Sequence, residues 1–149
     1  MLARCSRATL FHRFHGFSDG VAYYAALLRV RPPDLTLLAR VGSTCVGVAS
    51  LGVGATGAID LAVLVEDAWQ RRGVGSRLTA SLLDSARVGG LSTVHADVLG
   101  DDVFILQPLR RIGPLTVSIE RGTYAIDIDI SQQPEAGLLP FQPFPRGNR

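Results

Sequence analysis

The short segment QRRGVG, residues 70–75, combines residue types that together favour binding of an anion. Its two glycines, Gly73 and Gly75, allow the backbone to approach a ligand closely because glycine has no side chain. A helical pattern begins directly afterwards, and the first N–H groups of a helix have no partners within it. Arg71 and Arg72 add positive charge at the same place. The segment therefore predicts a phosphate-binding loop at the start of a helix.

A second glycine-rich segment, GVGATG at residues 52–57, matches the dinucleotide-binding pattern G-x-G-x-x-G letter for letter. That pattern needs a helix directly after it, whereas the following run, AIDLAVLV, has the composition of a buried strand. We therefore interpret residues 52–57 as a turn between strands. QRRGVG has the required strand, turn and helix order. It is not a Walker loop, because the chain has no lysine, and Leu78 replaces the third glycine of the dinucleotide pattern.

The composition of the chain limits the classes of protein to which it can belong. Its 149 residues, 47% hydrophobic and 19% charged, predict one globular domain with a single core. A formal net charge of +2 argues against a nucleic-acid partner. The two cysteines, Cys5 and Cys45, are too few and too far apart for a disulfide framework. No run reaches the ~20 apolar residues of a membrane helix, so we expect a cytoplasmic protein that does not bind membranes.

The elements that must position the loop follow from hydrophobic periodicity. Helical spacing predicts helices at residues 5–17, 21–30, 75–86 and 103–112, with Pro108 kinking or shortening the last one. Alternating or continuous apolar runs predict strands at residues 35–41, 45–53, 58–65, 92–99, 115–120 and 123–130. This order predicts an α+β domain, a mixed sheet with helices on its faces. We assign residues 1–130 to this domain and the Pro-rich residues 131–149 to a C-terminal tail.

These segments resemble the GNAT superfamily of N-acetyltransferases, in particular its bacterial protein-lysine acetyltransferase branch. QRRGVG fits the Q/R-x-x-G-x-G/A pyrophosphate loop of that superfamily. IDLAVLVEDAWQRRGVGSRLTASLLDSA resembles the core of the branch, VLGDDVFILQPLRRIG its next strand-to-helix segment, and SRATLFHRFHGF its early helical region. The resemblance covers about residues 5–130. It implies a GNAT-like mixed, mostly antiparallel twisted sheet of about six strands flanked by about four helices.

The resemblance also implies a cofactor, acetyl-CoA, and transfer of its acetyl group to a primary amine of a protein lysine or a small molecule. The backbone of Val63, Leu64 and Val65 would bind the pantetheine arm like an added strand. The pyrophosphate loop would comprise Gln70, Arg71, Arg72, Gly73, Val74, Gly75 and Ser76. Asp102, at a position where the family usually has asparagine, is a further predicted cofactor-binding residue.

Asp60 is the candidate general base. Attack requires a neutral amine, whereas a lysine amine has a pKa of about 10.4, so a proton acceptor is useful. Asp60 is the only charged residue in AIDLAVLV, and partial burial would raise the pKa of its carboxyl group towards a useful range. Members of the branch often carry glutamate at the matching place. The alternative is a structural aspartate that caps an amide or pairs with an arginine.

Other polar residues are assigned structural roles. We expect His95 to be packed in its strand, Glu66 and Asp67 to face solvent, and Asp127 to lie on a solvated strand face. His12 and His15 share a helical face but lack a third ligand, so no metal site is predicted.

Two departures from the family leave alternatives open. The predicted helix at residues 103–112 contains no tyrosine to protonate the leaving thiolate, so the alternative function is a catalytically inactive acyl-CoA-binding regulatory module. A structural domain whose glycine loop binds nothing is a third hypothesis. The family's first strand has no counterpart, which indicates either truncation at the N-terminus or a smaller sheet. An unprotected sheet edge would then pair with a second copy, and this predicts a homodimer.

Overall fold

The computed structural model describes residues 1–14, 35–54, 56–100, 105–120 and 122–132. The predicted helix at residues 21–30, Asp102 and most of the Pro-rich tail lie outside these ranges. The helices are α1 (Arg7–Phe14), α2 (Val74–Val88) and α3 (Leu106–Arg110), with 3-10 turns at Leu2–Arg4 and Asp67–Trp69. The strands are β1 (Leu35–Val41), β2 (Thr44–Val53), β3 (Ile59–Val65), β4 (Thr93–Leu99), β5 (Leu115–Glu120) and β6 (Thr123–Asp129).

The six strands form one sheet in the order β1-β2-β3-β4-β6-β5. Neighbouring strands are antiparallel except for β3 and β4, which run parallel. The predicted α+β fold with a mixed, mostly antiparallel sheet is therefore confirmed. The described ranges contain three α-helices against the four predicted, and the predicted helix at residues 21–30 falls outside them.

One face of the sheet carries the hydrophobic core. Alternation along the strands directs Val94 and Val98 of β4, and Ile126 and Ile128 of β6, to this face, where all four are buried. α2 covers the face with residues at helical spacing, namely Val74, Leu78, Leu82, Leu83 and Ala86. Since Leu82 and Leu83 are completely buried, truncating either to alanine would cost about 2–5 kcal/mol of folding free energy.

The opposite face is polar along the middle of the sheet. Asp127 of β6 lies opposite His95 of β4, and Asp97 follows on the same face two residues later. Asp60 of β3 is in register with His95 across the parallel pair, so its side chain shares this face. α1 packs against β3. Acidic and imidazole groups from three strands therefore meet on one surface.

The predicted elements mostly agree with the observed ones. β1 has the predicted bounds, and α2 exceeds the predicted helix by one residue at its start and two at its end. A hydrogen bond from Gly54 N to Ala58 O, 2.8 Å, joins the ends of the β2–β3 turn and confirms the interpretation of that glycine-rich segment. α3 ends at Arg110, two residues before the end of the predicted helix, which agrees with the expected shortening, and residues 103 and 104 lie outside the described ranges. Pro108 lies in the first turn of α3, where a missing N–H breaks no helical hydrogen bond, so the proline introduces no kink.

None of the helices within the described ranges is both long and apolar enough to cross a bilayer.

Candidate functional site

The loop before α2 turns sharply twice within three residues. Arg71 has a φ of 54° and Gly73 a φ of 78°, both in the left-handed region. Gly73 is the N-cap of α2, and a Cβ added there would meet no atom within 4 Å. The first helical hydrogen bond runs from Arg77 N to Gly73 O, 3.0 Å, so the amides before Arg77 precede the hydrogen-bonded part of the helix. An exposed glycine and a set of helix-start amides therefore lie together at the surface.

The start of α2 lies against the end of β3. A Cβ on Gly75 would lie 3.6 Å from the Val65 side chain and 3.9 Å from that of Val63, which is ordinary contact. The loop is anchored on its other side by Arg72, whose guanidinium carbon lies 5.3 Å from the centre of the Trp69 ring. The helix start and the last residues of β3 are thus neighbouring parts of one site.

Gln70 uses its side chain within the protein. Its Nε2 donates to Thr9 Oγ1 of α1 and to the backbone oxygen of Val65, each at 3.0 Å. This amide therefore links α1, the loop and the end of β3. Gln70 supports the loop, and its side-chain amide is already engaged.

β3 and β4 share a single registered pair, and the unpaired stretch beyond it is here called the opening. Asp60 and His95 are the paired residues, and no later residue of the two described strands is in register. On the other side of β3, Glu66 N donates to Val46 O and Gly54 N to Ala58 O, so even-numbered residues of β3 direct their backbone groups towards β2. Val63 and Val65 consequently direct theirs towards the opening, whereas Leu64 pairs with Val48 and buries its side chain.

Asp60 lies on the polar face beside this opening. Partial burial raises the pKa of its carboxyl group, the nearby His95 lowers it, and Asp97 raises it, with a net upward shift. Gly54 lies directly against this carboxyl group, and a Cβ at position 54 would overlap it. The absence of a side chain at Gly54 therefore provides the space that Asp60 occupies.

His95 is partly buried, as expected for a residue packed in its strand, but its ring also makes two polar contacts that were not predicted. Its Nδ1 lies 2.8 Å from Asp127 Oδ1, and its Nε2 lies 3.3 Å from Asp97 Oδ1. The sequence signal for this group was the alternation HAD in β4 and AID in β6, which places acidic and imidazole groups on one face of each strand. The register between the two strands, which brings them together, is not visible in either segment alone.

Of the two residues expected to face solvent, Asp67 is exposed as expected, whereas Glu66 is buried and that expectation is wrong. Glu66 is only 7% exposed and pairs with Arg4 at 2.9 Å. Asp67 is exposed but accepts hydrogen bonds from Ser6 N, 2.8 Å, and Thr9 Oγ1, 3.0 Å, at the start of α1. Although burial tends to raise the pKa of Asp67, the hydrogen bonds from Ser6 and Thr9 lower it overall. These two carboxylates fasten the N-terminal segment to the loop.

The structure brings most of the predicted site residues together. The predicted cofactor loop and the end of β3 adjoin, and Asp60 lies on the same strand five residues before Val65. Asp102 lies outside the described residues. Within the described part of the chain, no group of three or more His, Cys, Asp or Glu residues is arranged to hold a metal ion.

Comparison with known proteins identifies the family. A model of the Acetyltransferase (GNAT) family matches residues 6–104, two thirds of the chain, and this segment contains the loop, Asp60 and β4. The chain therefore belongs to the GNAT family of acetyltransferases. The predicted family is thereby confirmed.

Individual relatives agree with this assignment. The chain is 33% identical over 84 residues to Acetyltransferase Pat of Mycolicibacterium smegmatis, and this match covers 56% of the chain and 24% of that protein. The chain thus spans about a quarter of the length of that curated relative. The GNAT domain of S. lividans PAT has the same fold, with a TM-score of 0.73 and 22% identity over 86% of this chain and 80% of that one.

A Salmonella typhimurium protein, yncA, solved with its cofactor acetyl-CoA, also shares the fold. Its TM-score is 0.62, with 17% identity over 93% of this chain and 95% of that one. The predicted acetyl-CoA cofactor agrees with this similarity.

Proposed function

We propose that the chain binds acetyl-CoA and transfers its acetyl group to a primary amine, with Asp60 as the proton acceptor. The proposal rests on one observation: the exposed, glycine-capped start of α2 adjoins the opening between β3 and β4. Asp60 lies at the closed end of that opening. The pyrophosphate would bind the amides and positive charges of the loop, namely Arg71, Arg72, Gly73, Val74, Gly75 and Ser76.

The opening between the strands has the polarity needed for an amide-containing chain. Val63 directs its N–H and C=O towards it, and Val65 directs its N–H there while its oxygen accepts from Gln70. The pantetheine arm would pair with these groups as an added strand. Leu64 would contribute through its buried side chain, which holds β3 in place, because its backbone pairs with β2.

Asp60 would take the proton that an ammonium group must lose before it can attack. Bound acetyl-CoA supplies an activated thioester carbonyl. The partly buried Asp60 carboxylate has a raised pKa, which makes it a better proton acceptor than an ordinary surface aspartate. Aspartate is one methylene shorter than glutamate, so one water molecule could relay the proton between the amine and Asp60.

The acceptor would be cationic before it reacts. Asp60, Asp97 and Asp127 place three carboxylates on the polar face. Among the residues of the described strands that pair with them, only His95 brings a positive charge. An ammonium group is attracted to such a surface, whereas an acidic acceptor is repelled. A protein lysine or a small-molecule amine fits this requirement.

Two measurements test the proposal. Calorimetry should show acetyl-CoA binding at micromolar to millimolar concentration, and release of free thiol should follow when an amine panel containing a lysine peptide and small diamines is added. Binding without turnover of any amine would favour the inactive acyl-CoA-binding module. Absence of binding at millimolar acetyl-CoA would overturn both and leave a structural domain with an unused loop.

We also propose that the chain forms a homodimer through a sheet edge. Among the described strands β1 and β5 are the outer ones, and they expose Leu38 and Val41 of β1 and Ile119 of β5. Exposed apolar edge strands favour pairing with another chain. Native mass spectrometry should detect a dimer at micromolar concentration, and a monomer throughout that range would overturn this assignment.

A further inference from the structure

His95 lies between two carboxylates on the polar face of the sheet. Asp127 Oδ1 and Asp97 Oδ1 lie 2.8 and 3.3 Å from its two ring nitrogens, and its side chain is only 23% exposed. An ionised carboxylate can only accept hydrogen bonds, so both contacts are satisfied together only when each ring nitrogen carries a proton. That species is the imidazolium cation. The geometry therefore favours a positively charged His95.

The charged ring lies beside Asp60. Asp60 and His95 form the registered pair that joins β3 to β4, and residues in register on neighbouring parallel strands direct their side chains to the same face. A positive charge at this place stabilises the ionised form of the Asp60 carboxyl group. Partial burial of Asp60 acts in the opposite direction.

We propose that His95, held protonated by Asp127 and Asp97, keeps Asp60 ionised and is a positioning residue for its proton-accepting role. The role of Asp60 in this inference rests on the proposed function, whereas the coupling between the two side chains does not. In the proposed reaction His95 neither gains nor loses a proton. It keeps Asp60 in the form that can accept one.

The pKa shifts agree with this arrangement. Burial tends to lower the pKa of His95, but the hydrogen bond to Asp127 and the charge of Asp97 outweigh it and raise the pKa overall. For Asp60, burial raises the pKa and His95 is the group that lowers it. His95 therefore stabilises the ionised form of Asp60, while Asp127 and Asp97 stabilise the charged form of His95.

Other titratable groups lie on the elements that adjoin the pair. Asp97 lies on the same strand as His95, and Asp127 and Asp129 lie on β6, with Asp129 opposite Thr93. α1, which packs against β3, carries Arg7, His12 and Arg13. Asp129 Oδ1 accepts hydrogen bonds from Ser131 N and Oγ, so Asp129→Asn removes one negative charge from the same face of β6 and is a matched control.

The direct test is a nuclear magnetic resonance titration of the Asp60 carboxyl carbon and the His95 ring in the full chain without ligand. In His95→Gln, Asp60 should titrate at higher pH than in the wild type. In His95→Lys, which retains a positive charge, it should return to the wild-type pH or below. Asp127→Asn should lower the pH at which His95 titrates, and Asp129→Asn should change it much less.

The kinetic test uses the pH profile of kcat/KM once an acceptor amine is known. In His95→Gln the acidic limb of the profile should move to higher pH, because Asp60 loses a nearby positive charge. At a fixed pH on this acidic limb, kcat/KM should therefore fall about threefold to tenfold. His95→Lys should restore the limb, a recovery that a purely structural role of the ring would not produce. The plateau at high pH should change little.

The outcomes separate this inference from the proposed function. An unchanged Asp60 titration in His95→Gln, or a His95 that titrates at or below the ordinary histidine value, would overturn the inference whether or not the chain is active. A confirmed titration shift in a chain that turns over no amine would support the coupling and reject the acetyl-transfer role.

Discussion

Gly54, the residue after β2, lies directly against the side chain of Asp60 in β3. A side chain at position 54 would overlap the Asp60 carboxyl group, so the glycine provides the space in which the carboxylate lies. The sequence identified Asp60 as the unusual charge of an apolar strand, but it did not indicate why Gly54 matters. That relation depends on the β2–β3 pairing, which places Gly52 opposite Asp60 and Gly54 just beyond it.

Gly54→Ala should displace Asp60 and reduce kcat about tenfold or more, because shifts of about 1 Å at a reacting group cost up to 100-fold. The affinity for acetyl-CoA should be preserved, since the loop is distant along β3. Stopped-flow thiol release and calorimetry measure the two quantities. Thr56→Ala, an exposed change in the same turn, is the control. In an Asp60→Ala background, Gly54→Ala should reduce kcat little further. A reduction in kcat as large as in the wild-type background would contradict the overlap between position 54 and the Asp60 carboxyl group.

Asp60→Asn should lower kcat by about 100-fold or more, the usual contribution of a general base, because asparagine cannot accept the proton. The dissociation constant for acetyl-CoA should stay within about twofold, since Asp60 lies away from the loop. Asp129→Asn, which removes a carboxylate from the polar face of β6 that also carries Asp127, should keep most of the activity. Comparable kcat values for Asp60→Asn and the wild type would remove Asp60 from the mechanism.

At the scale of elements, the N-terminal segment and the loop are one connected unit. Ser6 Oγ accepts from Thr9 N at 3.2 Å, while Asp67 accepts from Ser6 N and Thr9 Oγ1. Ser6 therefore caps α1, and Asp67 holds this cap in place from outside the helix, immediately before the turn that leads to the loop. An N-terminal helix of eight residues is short, so such tertiary contacts are needed for its stability.

Asp67→Ala should destabilise the fold by about 1 kcal/mol, the usual cost of losing a helix cap. The pKa of Asp67 is lowered in the folded state, so its contribution is present above the unfolded value of 3.8 and is lost as the pH falls through the lower folded value. Urea unfolding at pH 7 and at pH 3 measures both effects. Thr9→Ala removes a partner of the same Asp67 contact. The double variant should therefore lose less folding free energy than the sum of the two single variants. Full additivity would contradict a shared cap.

The loop combines charge and backbone strain at one residue. Arg71 has a φ of 54°, which costs a non-glycine residue roughly 1 kcal/mol. Arg71→Gly and Arg71→Ala should weaken acetyl-CoA binding equally, because both remove the same charge. Arg71→Gly should be the more stable of the two by roughly 1 kcal/mol, because glycine accepts this conformation. Calorimetry and thermal unfolding measure the two quantities, and equal stability would show that the loop relaxes in the alanine variant.

The sequence predicted the elements more completely than the site. The bounds of β1 and the core face of α2 followed from local periodicity, and the loop, β3 and Asp60 lie close together in the chain, so their proximity was predictable. The contacts of His95 with Asp127 were not. They depend on β6 lying between β4 and β5, which is a property of long-range pairing. The contacts of Asp67 were likewise not predicted, because its partner Ser6 lies 61 residues away.

At the scale of the whole molecule, the described sheet consists of two antiparallel halves. β1, β2 and β3 form one half, β4, β6 and β5 form the other, and Asp60 and His95 provide the registered pair between them. Core packing by α2 supports the halves from one face. A ligand that pairs with Val63 and Val65 would add contacts between β3 and β4, the strand pair with the fewest residues in register.

Acetyl-CoA at 100 times its dissociation constant should stabilise the fold by about 2.7 kcal/mol. Hydrogen exchange of the Val63 and Val65 amides should slow when it binds, because they would acquire partners. Adenosine 3′,5′-bisphosphate, which lacks the pantetheine arm, is the control and should leave these two amides unprotected. Protection of Val63 and Val65 by the control ligand would contradict placement of the pantetheine arm between the strands.

The division of the sheet has a consequence for how long the protein survives in a cell. If the cofactor bridges the two halves, the protein resists opening only while acetyl-CoA is plentiful. During starvation the empty form would open more often and present its strands to proteases. Its abundance would then follow the carbon supply of the cell without any dedicated regulator.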